Sequence, residues 1–63
     1  MKKKEMLDNI YNNIFNKDEL KNLIIKYSDC YIVNPLVLEE KINYIKSNGL
    51  DIKENIIKYY QGK

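Results

Sequence analysis

Apolar residues along this chain recur every three or four positions, the spacing of one helix face, and polar punctuation interrupts them four times. From about Lys4 to Phe15, Leu7, Ile10, Tyr11 and Ile14 fall in the i, i+3, i+4, i+7 stripe of an amphipathic helix. Asn16 then reads as a break and a fresh N-cap, with Glu19 at the N3 position of a capping-box-like pair. A second helix is predicted from about Lys17 to Ser28, with its stripe at Leu20, Leu23, Ile24 and Tyr27. Asp18 and Glu19 near its start and Lys26 near its end complement the helix dipole.

Residues 29–33 break the pattern. Tyr31, Ile32 and Val33 favour strands but have no evident pairing partner, so the segment reads as an extended, apolar connector. Asn34 followed by Pro35 marks a new start: Asn caps, and Pro sits at the first helical position, where its missing N–H costs nothing. The third helix is predicted from Pro35 to Asn48, with Leu38, Ile42 and Ile45 on one face. Gly49 stands where a left-handed residue ends a helix, and Leu50 takes the apolar position after it. Asp51 with Glu54 forms another capping-box-like pair opening a last helix from Ile52 to Tyr60, striped by Ile52, Ile56, Tyr59 and Tyr60. Glu54 and Lys58 lie four apart on it. The predicted fold is all-α: a single domain over residues 1–63, built as a small bundle of three to four short helices. Its C-terminal half is an αα-hairpin, residues 1–4 a basic tail and residues 61–63 a frayed end.

Length and composition narrow the picture. A chain of 63 residues buries only ~60% of its unfolded surface, so its stability is small or shared with a partner. Apolar residues at 44% and charged residues at 32% are a globular balance. Lysine, asparagine, isoleucine and tyrosine supply 36 of the residues, the vocabulary of AT-rich codons. Of eleven lysines three are Lys2, Lys3 and Lys4, and the other eight against nine acids leave one net negative charge. The positive sign therefore belongs to the tail, and the body carries no basic face of the kind nucleic-acid binders show. Cys30 is the one cysteine, which fits a reducing cytoplasm and a structural thiol. No apolar run approaches the ~20 residues a bilayer span needs, and acidic and amide residues break up any signal-peptide core.

Catalytic chemistry has few carriers here. Without histidine or a second cysteine there is no zinc set and no base for a thiolate. Glu39 and Glu40 are helix neighbours pointing roughly 100° apart, which is not a converging acid–base pair. No window has the acidic spacing of a calcium loop, and Gly62–Lys63 lacks the rest of a phosphate loop. No enzyme, metal or cofactor is expected. The last hairpin has the outline of a helix-turn-helix. However, Ile45 stands four before the turn glycine, where that motif takes a small residue, and Asn55 stands six after it, where it takes an apolar one. The stretch Asn34-Pro35-Leu36 through Gly49-Leu50-Asp51-Ile52 to Ile57 resembles one repeat of the mitochondrial transcription termination factor family. Those proteins stack helical repeats to hold nucleic acid. The likeness covers under half the chain, a solenoid needs several repeats, and no residue's role is carried over from it.

The residues that point to function are surplus apolar ones. Ile25 and Ile57 lie off the stripes of their helices by roughly 100°. Val37 and Tyr44 form a shoulder beside the Leu38/Ile42/Ile45 face, and Tyr31 and Ile32 sit in the connector. Tyrosine joins an apolar body to a polar tip and suits a recognition surface. Ile25, Tyr31, Ile32, Tyr44, Ile57 and Tyr60 are the predicted partner-binding residues. The expected function is that of a small cytoplasmic module that binds another protein or a second copy of itself, acting as a regulator, an inhibitor or a homo-oligomer. The alternative is a nucleic-acid-binding module using the last two helices and Lys2–Lys4, with no membrane role in either case.

Overall fold

The computed structural model describes residues 2–62, an all-α domain of four helices with no strand among the described residues. Local cap chemistry sets most boundaries. Helix α1 runs Lys3–Ile14 and α2 Lys17–Lys26, separated by Phe15 and Asn16 in extended conformation. The Asn16 side chain accepts from the Glu19 N–H at 2.8 Å while Glu19 accepts from the Asn16 N–H at 2.9 Å, a complete capping box. Helix α3 runs Pro35–Ser47, with the Asn34 side chain accepting from the Leu36 N–H and Pro35 in the first turn. Gly49 has φ +66°, the Gly49 N–H donates to Lys46 O and the Leu50 N–H donates to Ile45 O, which together close a Schellman motif. Helix α4 runs Ile52–Gln61, capped by Asp51 accepting from the Glu54 N–H. Glu54 does not reach back to complete that box; its carboxylate lies 3.5 Å from Lys58 instead.

The connector differs from its expected form. Helix α2 stops at Lys26, short of the expected Ser28, and Ser28–Tyr31 is a 3-10 turn rather than an extended connector. Side chains of α1 hold it. Tyr11 donates its hydroxyl proton to Cys30 O, Tyr31 donates to the Asp8 carboxylate, and Lys3 Nζ reaches Ile32 O at 2.6 Å. Lys4 completes the strap, 3.0 Å from Asp8 and above the Tyr31 ring. The expected basic tail is therefore the first turn of α1 from Lys3 onward, with Lys3 and Lys4 drawn to carbonyl, carboxylate and ring partners. The expected frayed end likewise begins late: Gln61 is helical and the Gly62 N–H donates to Lys58 O. Met1 and Lys63 lie outside the described residues.

Every element contributes to one interior: Leu7 and Tyr11 from α1, Phe15 from the break after it, Leu23 from α2, Cys30 from the turn, Leu38, Ile42 and Ile45 from α3, and Ile56 and Tyr60 from α4. Burying one such side chain contributes ~1.5–3 kcal/mol, which a chain this short needs from each of them. The Cα radius of gyration is 11.0 Å, close to the ~10.6 Å of a compact chain this long. Lys3 and Met6 share a groove with Pro35 and Leu36, and Ile10, Asn13 and Ile14 share another with Glu39, Asn43 and Lys46. Start lies by start and end by end, so α1 and α3 run side by side in the same sense.

Candidate functional site

The surface of this domain departs from an ordinary one on the outer side of α3. Ile32 (66% exposed), Leu36 (61%), Val37 (52%) and Tyr44 (67%) all stand in solvent. Val37 and Tyr44 are seven residues apart and so within about 20° of each other around the helix. Leu36, Glu40, Tyr44 and Val37 fill an outward arc of about 100°, turned away from the buried Leu38, Ile42 and Ile45. Leu36 also lines the groove of about 350 Å³ that holds Ile32, Met6 and Lys3, so the connector and α3 share one apolar surface. Contiguous apolar surface of this kind is uncommon on a monomer.

A second exposed apolar pair stands on α2. Ile25 is 74% exposed, and Ile24 beside it is also open to solvent. Lys17, Lys21, Ile24 and Ile25 occupy an arc of about 100° opposite the buried Leu23. Ile24 was expected in the interior stripe. It is exposed because α2 sits against its neighbours on a narrow face, with Leu23 its one fully buried residue.

The other predicted contact residues lie inward. Tyr60 is 4% exposed, with its hydroxyl against that of Tyr11 and its ring stacked on Tyr27, so it belongs to the interior and offers a partner almost nothing. Tyr31 is half-buried, edge-on to the Tyr11 ring and bonded to Asp8, where it braces the connector. Ile57 is half-buried in the seam between α2 and α4, near Phe15, Leu23 and Tyr27. Of the six predicted contacts, Ile25, Ile32 and Tyr44 are open surface. Leu36 and Val37 join Tyr44 on α3; their signal in the sequence was the spacing 36, 37, 40, 44, off the core stripe.

Burial and hydrogen bonding set the titration of the strap. The Tyr31 hydroxyl, and then Lys4, hold the Asp8 carboxyl below its usual range. Burial pushes the Tyr11 and Tyr31 phenols well above theirs and Tyr60 up to about 12. Burial likewise raises the Cys30 thiol, which is closed off from solvent and so kept in its unreactive form. Among the described residues no group of His, Cys, Asp or Glu is arranged to hold a metal ion, and no helix is long and apolar enough to cross a membrane.

On the α3–α4 hairpin the lysines of the second helix are engaged. Lys53 Nζ lies 2.9 Å from both oxygens of Glu19 on α2, and Lys58 pairs with Glu54. The Asn16 N–H first, and then Lys53, hold Glu19 below the ordinary carboxylate range. Compared with family models, curated proteins and solved structures, the chain matches none.

Proposed function

We propose that this chain is a small protein–protein interaction module, without catalysis of its own, that docks a partner protein on the outer face of α3. The observation that carries the reading is the shared exposure of Ile32, Leu36, Val37 and Tyr44 on one side of a domain whose interior is already filled by ten other side chains. Displacing water from that surface supplies the driving force, at ~25 cal/mol per Å² of apolar area covered. Tyr44 adds a rigid ring with a polar tip, the kind of anchor that dominates interfaces. A partner presenting an amphipathic helix or an apolar ridge suits such a face. The competing reading, nucleic acid held by the last two helices, is less well supported because Lys53 and Lys58 already neutralise carboxylates within the chain.

Affinity capture from the cells that make this chain tests the reading, with the unaltered protein set against Val37→Asp. Proteins retained by the former and lost by the latter, at low and moderate salt alike, are the expected result. The same proteins retained by both would overturn it. So would binding that collapses steeply with salt and carries nucleic acid, as phosphate contacts do.

A further inference from the structure

Glu40 stands at the centre of the apolar arc on α3. From its position we propose that the occupant of that face is an amphipathic helix carrying a cationic side chain, arginine above lysine, in the middle of its apolar stripe. The inference rests on the docking reading above and names the chemistry of the partner. Leu36 and Tyr44 lie four residues to either side of Glu40 and Val37 three before it, so all three side chains border the carboxylate. A partner that covers them covers Glu40 as well. A carboxylate taken out of water is strongly disfavoured unless a cation and hydrogen-bond donors meet it there.

The chain itself brings no such cation. The positions three and four away from Glu40 on α3 hold Leu36, Val37, Asn43 and Tyr44. Lys41 is turned aside, over the Tyr59 ring at 4.5 Å. Lys3, in the groove at the Leu36 end, is held by Ile32 O at 2.6 Å. Glu39 and Lys46 lie on the α1 side, along the groove with Ile10 and Asn13, where their opposite charges offset each other. Among the described residues no cation lies within ion-pair distance of Glu40. Tyr44 then selects between cations. Its ring is exposed, lies about 40° around the helix from Glu40, and packs against no other ring among the described residues. A guanidinium bonded to Glu40 through one edge can lie flat on that ring, which a compact ammonium does less well. The strip from Leu36 to Tyr44 runs ~12 Å along α3, so a second helix laid beside it meets it with a single stripe. Beyond Leu36 the groove of about 350 Å³ beside Met6 and Ile32 admits an apolar side chain about one turn from the cation.

Selection from a displayed library of amphipathic helical peptides tests this, with the apolar stripe fixed, its centre randomised, and helicity checked for every protein variant. On the wild-type chain arginine, and then lysine, is expected to be enriched at the centre. The selected peptides are expected to lose about tenfold or more in affinity on Glu40→Gln. On Glu40→Lys the enrichment is expected to turn to aspartate and glutamate, and Tyr44→Leu is expected to remove the advantage of arginine over lysine. Peptides with a neutral centre that bind the wild-type chain as tightly, or that bind Glu40→Ala more tightly, overturn the proposal. If those peptides are still lost on Val37→Asp, the docking reading stands without it. A library that yields nothing sensitive to Val37→Asp removes both.

Discussion

The hydroxyls of Tyr11 and Tyr60 meet inside the bundle, and the one proton of Tyr11 decides the direction of the bond between them. Tyr11 donates that proton to Cys30 O, so it is Tyr60 that donates to Tyr11. One phenol thus satisfies a carbonyl of the 3-10 turn and a hydroxyl of α4 at once. It ties together three parts of the chain that are 19 and 49 residues apart in sequence.

That asymmetry ranks two otherwise similar substitutions. Tyr11→Phe leaves both Cys30 O and the Tyr60 hydroxyl without a partner and is expected to cost ~2–4 kcal/mol. Tyr60→Phe removes only the donated bond, since Tyr11 keeps Cys30 O, and is expected to cost ~0.5–1.5 kcal/mol. Urea denaturation of the two variants measures the difference. Equal losses would reverse the assigned direction.

Alkali is expected to unfold the domain through the same phenols. Their pKa is raised in the folded state, so the stability they confer is intact below about pH 10, the ordinary tyrosine value. Above it the unfolded chain loses protons that the folded one keeps, and stability falls as pH climbs towards about 12, where Tyr60 ionises in the fold. For Tyr60 alone the loss over that window is of order 2–3 kcal/mol. Tyrosinate absorbance is expected to rise together with the loss of helical circular dichroism.

Asp8 sets the acid limit of the strap. Its carboxyl is held below the ordinary value of 3.8, so its contribution is present above that pH and is lost as pH falls through the lower folded value. Asp8→Asn keeps the shape but weakens the bonds to Tyr31 and Lys4, and is expected to speed hydrogen exchange in residues 28–33 before other regions respond. Exchange that quickens uniformly across all four helices would mean the turn is not a separate unit.

Gly49→Ala is expected to cost about 1 kcal/mol, although no atom stands within 4 Å of the added methyl group. The penalty comes from the backbone, whose φ of +66° suits glycine. In a domain this small it lowers Tm by ~4–8 °C. Unchanged melting would show that residue 49 relaxes out of the left-handed region.

Surface and interior apolar residues should separate cleanly. Ile25→Lys and Tyr44→Ser are expected to leave the monomer's stability within ~0.5 kcal/mol of the original, whereas Ile56→Ala, at a fully buried position, costs ~2–5 kcal/mol and leaves little folded protein.

What could be read from the sequence was the chemistry a few residues decide among themselves. Asn16 with Glu19, Asn34 with Pro35, and Gly49 before Asp51 are complete local signals, and each marks a real boundary. Residues 28–33 were misread because the partners that bend them, Lys3, Asp8 and Tyr11, lie on another helix up to 29 positions away. The same remoteness hid the docking of Lys3 on Ile32 O and of Lys4 over the Tyr31 ring. Periodicity gave the direction of each face but not its width: α2 buries a narrow strip and leaves Ile24 out, while α4 meets α2 as well as α3 and draws Ile57 in. Tyr60 was both a stripe residue and a candidate contact, and only packing against Tyr27 and Tyr11 assigns it to the interior.

Cys30 is the single thiol of the chain and is fully buried, in the turn whose carbonyl accepts from the Tyr11 hydroxyl. An aromatic disulfide reagent in solution reaches it only in the moments when the turn parts from α1. The rate of colour release, followed at several reagent concentrations, therefore clocks that parting directly. The molecule carries its own stopwatch for the segment its first helix holds in place.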